Sequence, residues 1–143
     1  MRPAIEEIEK EIVEEFALFD NWEDKYEYII DLGKKLEPLG EEHKKDENKV
    51  RGCQSTVWLV AEEKEGRIYY KADSDAVIVK GLISMLIRVL SGQEPDNIIN
   101  ARLDFIREIG MMSHLAQTRS NGLLAMVKQM KNYAIVFKAA NSQ

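Results

Sequence analysis

The sequence predicts an α+β domain: two N-terminal helices, a small antiparallel sheet of about three strands, and several C-terminal helices gathered on one face. Three observations carry this expectation. Apolar residues recur every three or four positions at both ends of the chain, β-forming residues cluster around a turn in the middle, and an almost wholly apolar helical stretch follows them. At 143 residues, residues 1–143 read as one domain with one core, because a chain of this size buries roughly 70% of the surface its unfolded form exposes.

Ile5, Ile8, Ile12, Phe16 and Phe19 share one helical face, with acidic residues on the other, and predict a first helix ending near Asp20. Asn21 or Asp20 can cap a second helix from Trp22 to about Leu36, closed by Pro38 and Gly40. Residues 41–49, EEHKKDENK, contain no apolar residue and read as an exposed loop. Val57 to Val60 and Arg67 to Lys71 flank Glu65-Gly66 as a hairpin, with a third strand expected at Lys49 to Gly52. Ser74-Asp75 is the expected cap of a buried helix from Ala76 to about Leu90, ended by Gly92. Pro95 opens a short helix, Leu103 to Ile109 continue in helical pieces, and a last long helix starts near Thr118 or Ser120 and runs past Phe137.

Composition narrows the function. With 25 acidic and 20 basic residues the formal net charge is -5, which argues against a nucleic-acid backbone as the main partner. Lys80 and Arg88 interrupt the longest apolar run, so no membrane span is expected. The N-terminal stretch reads as an amphipathic helix, not a secretory signal, and a cytoplasmic location is expected.

Cys53 is the only cysteine. With His43 and His114 as the only imidazoles, the chain lacks the thiolates and imidazoles of a structural zinc site, so no metal is expected. A lone thiol either packs as a small hydrophobe or acts as a nucleophile or covalent carrier. Three local features favour the second. Gly52 permits backbone conformations that side chains forbid. Arg51, Lys49 and Lys45 make the local field positive and favour thiolate. Gln54 and Ser55 add donors near the sulfur. A cysteine hydrolase would need His43 or His114 beside Cys53, a pairing for which the sequence offers little support.

The run VRGCQSTVWL at 50–59 resembles the signature of the SufE family of sulfur-acceptor proteins. DSDAVIVKGLI at 73–83 and HLAQTRSNGLLAMVKQMK at 114–131 lie where that family has corresponding blocks, and the likeness runs from about Ile8 to Tyr133. Asn121-Gly122 in the third block suggests that another backbone passes close by.

The resemblance implies a SufE/IscU-like fold and a role in iron–sulfur cluster assembly. Cys53 would accept sulfur from a cysteine desulfurase (SufS-like), hold it as a persulfide, stimulate the desulfurase, and pass sulfur to a downstream Fe-S scaffold complex (SufBCD-like). Arg51, Gly52, Gln54, Ser55 and Arg119 would shape or support the loop, and Asp73, Ser74 and Asp75 would lie at the partner surface. Pyridoxal phosphate (PLP) would belong to the desulfurase, and none of this chain's motifs suggests a cofactor of its own. The protein would be a sulfurtransferase accessory rather than a stand-alone enzyme. Relatives often carry Ser-Pro before the matching arginine, where this chain has Ala116-Gln117-Thr118; Thr118 is expected to serve as N-cap. Two alternatives stand beside this reading: a non-covalent regulator of the desulfurase with a structural Cys53, and an iron–sulfur scaffold, which a lone thiol disfavours.

Overall fold

Helix α1, Ile5–Phe16, buries Ile5, Ile8, Ile12 and Phe16 along the predicted stripe. It stops earlier than expected: the amide of Phe19 turns back to the Phe16 carbonyl and Leu18 points outward, 81% exposed. Helix α2, Trp22–Lys34, is capped as anticipated by Asn21, whose side-chain oxygen accepts from the Asp24 amide at 2.8 Å. The computed structural model describes residues 3–141; the ends of the expected 1–143 domain, residues 1, 2, 142 and 143, lie outside that range.

Residues 41–49 form two single 3-10 turns, Glu41–His43 and Asp46–Asn48. Strands β1, Val57–Lys64, and β2, Arg67–Ser74, then pair antiparallel in register from Val57↔Ser74 to Lys64↔Arg67. The connecting Glu65-Gly66 has positive φ at both residues, 54° and 79°, the primed turn whose twist matches its flanking strands. Among the described residues the sheet has two strands, not three. The stretch expected as a third contributes one bridge, Lys49↔Trp58, because Gly52 at φ 91° turns the chain out of the ladder.

Helix α3, Val77–Leu90, is apolar on most faces because it is enclosed: it packs on α1, α2, β2 and the last helix, and Leu82, Leu86, Val89 and Leu90 are almost fully buried. Its crossing with α2 is a backbone contact. A Cβ at Gly81 would lie 2.0 Å from the Ile29 carbonyl oxygen. Short helices α4, Pro95–Ile99, α5, Phe105–Ile109, and α6, Met111–His114, lead to α7, Gln117–Asn141.

An ionic cluster ties helices α1, α2 and α3 together. Arg88 of α3 grips Glu15 of α1 in a two-pronged contact, with nitrogen–oxygen distances of 2.9 and 2.6 Å, and the Tyr28 hydroxyl of α2 donates to the same carboxylate. The Arg88 hydrogen bond is the main reason the Glu15 carboxyl sits below the usual carboxylate range. Burial and the Glu15 carboxylate push the Tyr28 phenol up to about 12.

Candidate functional site

Residues 51–56 form a loop closed by a hydrogen-bonded stem. On its first side the Val50 amide donates to the Val57 carbonyl at 2.8 Å. On the second, Thr56 is held from both directions: its amide donates to Asp75 Oδ1 at 3.1 Å, while its carbonyl accepts from Ser74 Oγ at 2.8 Å and from the Asp75 amide at 3.3 Å. This revises the expected role of Ser74-Asp75 in the helix cap. Among the described residues no side chain caps α3; Ser74 Oγ accepts from the Ala76 amide at 3.1 Å and otherwise serves the loop.

The stem presents the loop to the first turns of α7. Gly52 faces Ala125, and a Cβ there would approach the alanine methyl to 3.3 Å. Cys53 lies half-buried against Gly122, with its Sγ donating to the Gly122 carbonyl at 3.6 Å. The expectation that a backbone passes close to Asn121-Gly122 is met here: a Cβ on Gly122 would sit 3.6 Å from that sulfur.

Beside the sulfur is a cleft of about 250 Å³. The loop contributes Cys53, Gln54 and Ser55, α3 contributes Val79 and Leu82, and α7 contributes Thr118, Arg119, Leu123 and Met126. The floor is aliphatic and the rim polar. Arg119 therefore shares the cleft with Cys53; it is exposed and, among the described residues, its guanidinium has no hydrogen-bond or ion-pair partner. Thr118 is not the N-cap. α7 starts one residue earlier, with the Ala116 carbonyl accepting from the amides of Arg119 and Ser120 at 3.0 Å each.

The resting sulfur is a thiol, contrary to the expectation of a field that favours thiolate. Burial pushes the Cys53 thiol up, and no cation offsets it. Lys49 instead pairs with Asp46 at 3.0 Å, and Arg51 is exposed at the loop's outer edge.

Asp73 and Ser74 are buried, whereas Asp75 is exposed. The Asp73 carboxylate accepts from the Ser74 amide at 2.8 Å and pairs with Lys44 and Lys80, each at 3.4 Å. Burial alone would raise this carboxyl; the Ser74 amide and the two ammonium groups outweigh it and hold it below the usual range. The Lys44 ammonium also lies 5.6 Å from the centroid of the Trp58 ring, pinning the 41–49 segment beside the loop stem.

Neither histidine lines the cleft. His43 lies 3.7 Å from Glu42, and His114 stacks on Trp22 with ring centroids 4.2 Å apart. Among the described residues no group of three or more His, Cys, Asp or Glu side chains is placed to hold a metal, and no helix is long and apolar enough to cross a membrane. Thr56 and the cleft floor of Val79, Leu82, Leu123 and Met126 were not anticipated from the sequence as parts of the site. The floor residues carry only a helical apolar periodicity, which marks them as buried without saying what they face.

Known proteins share this arrangement's sequence and fold. The family model described as "SufE: Fe-S metabolism associated domain" matches residues 10–134. An uncharacterized SufE-like protein of Rhizobium etli is 42% identical over 137 residues, covering 91% of each chain. Another, from Synechocystis, is 40% identical over 131 residues, covering 92% of this chain and 82% of its own. A third, from Rhizobium meliloti, is 38% identical over 129 residues, 87% of this chain and 92% of its own. The solution structure of a hypothetical protein from Thermus thermophilus superposes over 100% of both chains with a TM-score of 0.76 at 19% identity, a likeness of fold.

Proposed function

The chain belongs to the SufE family, a domain associated with Fe-S metabolism, and on that premise we propose that Cys53 accepts sulfur from the persulfide of a PLP-dependent cysteine desulfurase and carries it towards cluster assembly. The Cys53 thiolate attacks the terminal sulfur of the donor's cysteine persulfide. One S–S bond forms as another breaks, the donor's cysteine leaves as thiolate, and the charge moves with it, so the exchange involves no net oxidation or reduction. Delivery repeats the exchange with the next thiolate, on the scaffold side.

One observation carries the reading: the chain's single thiol sits on a loop anchored at both ends and resting on α7, beside a cleft with an aliphatic floor. At rest the thiol is protonated and shielded, a poor nucleophile and a poor target for oxidants. Lifting the loop off α7 removes the burial that raises its pKa, so a thiolate becomes accessible where a donor docks. Gly52 supplies the turn, Gln54 and Ser55 the cleft's near wall, and Arg119 a cation on its rim. Exposed Asp75 and Arg51 stand where a docking protein meets the loop.

The same burial favours a second reading, in which Cys53 is only a packed residue and the protein regulates the desulfurase by contact. Incubation with a desulfurase and cysteine, followed by intact-mass measurement, separates the two. The expected result is one added sulfur on Cys53, removed by reductant and absent in Cys53→Ser. An unmodified wild-type chain together with a Cys53→Ser variant that stimulates the desulfurase fully would establish the second reading instead.

A further inference from the structure

The position of the Cys53 loop depends on what its sulfur carries. We propose that the Gly122 carbonyl is a positioning group that holds the unloaded, protonated thiol and repels the persulfide anion, so that converting Cys53 to a persulfide releases the loop from α7. This rests on the sulfur-acceptor reading above and adds a direction to it: an empty carrier folds inward and a loaded one turns out.

In the resting state Sγ–H donates to the Gly122 carbonyl oxygen at 3.6 Å. A carbonyl oxygen only accepts, so this contact requires the proton. A hydropersulfide is a stronger acid than its parent thiol, because the charge of its anion is carried by the outer of two polarisable sulfurs. Near neutral pH Cys53–S–SH gives up its proton to water and becomes Cys53–S–S⁻. Two changes follow at the same place. The donor to the carbonyl is gone, and a negative charge now faces the negative end of a C=O dipole.

The surroundings do not restore the balance at the seat itself. Gly52 and Cys53 lie on Ala125 and Gly122, which offer a methyl group and a backbone carbonyl. Among the described residues no donor is hydrogen-bonded to Sγ in this seat, so a half-buried anion there loses hydration unless it moves towards the polar side chains of the cleft, Gln54, Ser55, Thr118 and Arg119. The cation that shares the cleft, Arg119, is exposed at its rim and is not bonded to Sγ at the seat, so it does not offset a charge placed there. The loop is built for such a departure. Its stem hydrogen bonds are made by residues 50, 56 and 57, so the tip can lift while the stem persists.

The test follows backbone 15N relaxation of residues 52–55 and the amide shift of Gly122. In the reduced protein the tip is expected to be ordered, with order parameters near ~0.85, falling below ~0.6 once Cys53 is persulfidated. The neutral mixed disulfide Cys53–S–S–CH3, made with methyl methanethiosulfonate, controls for bulk and is expected to leave the tip more ordered than the persulfide does. A second arm avoids sulfur transfer: Cys53→Asp, a fixed charge, is expected to loosen the tip, and its neutral counterpart Cys53→Asn to leave it ordered. If the desulfurase fails to load Cys53, the proposed function fails while the Asp/Asn comparison still decides the charge dependence. A tip that stays ordered in both the persulfide and Cys53→Asp, or that loosens equally in the neutral disulfide, overturns the inference.

Discussion

If the tip lifts about a fixed stem, loosening Thr56 should leave chemical labelling of the Cys53 thiol at its wild-type rate, whereas a stem that must break first would speed it by a calculable factor. Asp75→Ala removes the 3.1 Å bond from the Thr56 amide to a carboxylate, and Ser74→Ala removes the 2.8 Å bond from Ser74 Oγ to the Thr56 carbonyl. A hydrogen bond to a charged group contributes about 1.5–3 kcal/mol when well shielded. Asp75 is exposed, so about 1 kcal/mol is the appropriate figure for it, and a similar value serves the neutral Ser74 bond. At 1.4 kcal/mol per decade, an opening that broke the stem would make each change raise the open fraction about five-fold, and the pair together roughly 20- to 30-fold if they act independently. The two bonds share Thr56, so coupling is expected to shift the double variant from that product. The assay is the rate of iodoacetamide labelling, followed by intact mass, at a pH where the opened thiol is partly ionised. Labelling about 20- to 30-fold faster in the double variant, with the fold intact by circular dichroism, would refute the fixed-stem argument, because the sulfur would then be reached only when the stem yields.

Further outcomes follow from the same geometry. The pH profile of Cys53 labelling should give an apparent pKa above that of an unfolded cysteine; because burial raises the folded value, the thiol's contribution to stability is complete below the unfolded pKa and disappears as pH rises through the folded one. Urea titrations between pH 8 and pH 10.5 (about the range of thiol ionisation) should therefore show an alkaline loss that Cys53→Ser lacks. Gly81→Ala forces a methyl against the Ile29 carbonyl, where 2.0 Å is available, and should cost about 2–3 kcal/mol and lower the melting temperature by roughly 5–10 °C. Arg88→Ala should cost only about 0.5–1 kcal/mol, since its contact with Glu15 is partly solvated. Because Glu15's folded pKa is depressed, the Arg88 contribution is present above the unfolded carboxylate pKa and lost as pH falls through the folded one, so wild type and variant should converge in acid.

The order of elements was legible because it is written in local periodicity. The α1 stripe, the Asn21 cap, the Glu65-Gly66 turn and the apolar run of α3 each state their structure within a few residues. The third strand failed for a reason equally local in cause but not in signal: Lys49 to Gly52 has strand-compatible neighbours, yet a single glycine at φ 91° takes the chain out of register after one bridge. Cys53 itself was visible from its uniqueness and from the run around it. Its protonation state was not, because burial is a property of the assembled fold, and the expected cations do not offset it: Lys49 pairs with Asp46 and Arg51 is exposed. Ser74 and Asp75 show how one pattern serves two purposes, since a sequence that reads as a helix cap is spent on holding Thr56, 18 to 19 residues away.

The stem and the seat of the loop divide two requirements that conflict in a sulfur carrier. A thiol must be protonated and covered to survive, yet ionised and reachable to react. A cysteine fixed permanently in either environment meets one requirement and fails the other. Here the covered state is held by weak contacts on α7, one S–H donor and two van der Waals approaches at Gly122 and Ala125. The stem is held by backbone bonds and by Ser74 and Asp75. Breaking the first set costs far less than breaking the second, so the low-energy motion is a lift of residues 52–55 about a fixed base. Strengthening the seat should therefore slow transfer without altering stability at the stem. Gly122→Ala tests this: its added methyl meets the cysteine side chain at 3.6–3.9 Å, ordinary contact distance, and should extend the apolar seat without a clash. The expected result is slower iodoacetamide labelling of Cys53, with the melting temperature raised by no more than the few degrees that about 0.5–1 kcal/mol of Gly-to-Ala helix stabilisation supplies. Faster labelling would mean that the loop rests on α7 too tightly to accept even one methyl, and that the weak-seat argument is wrong.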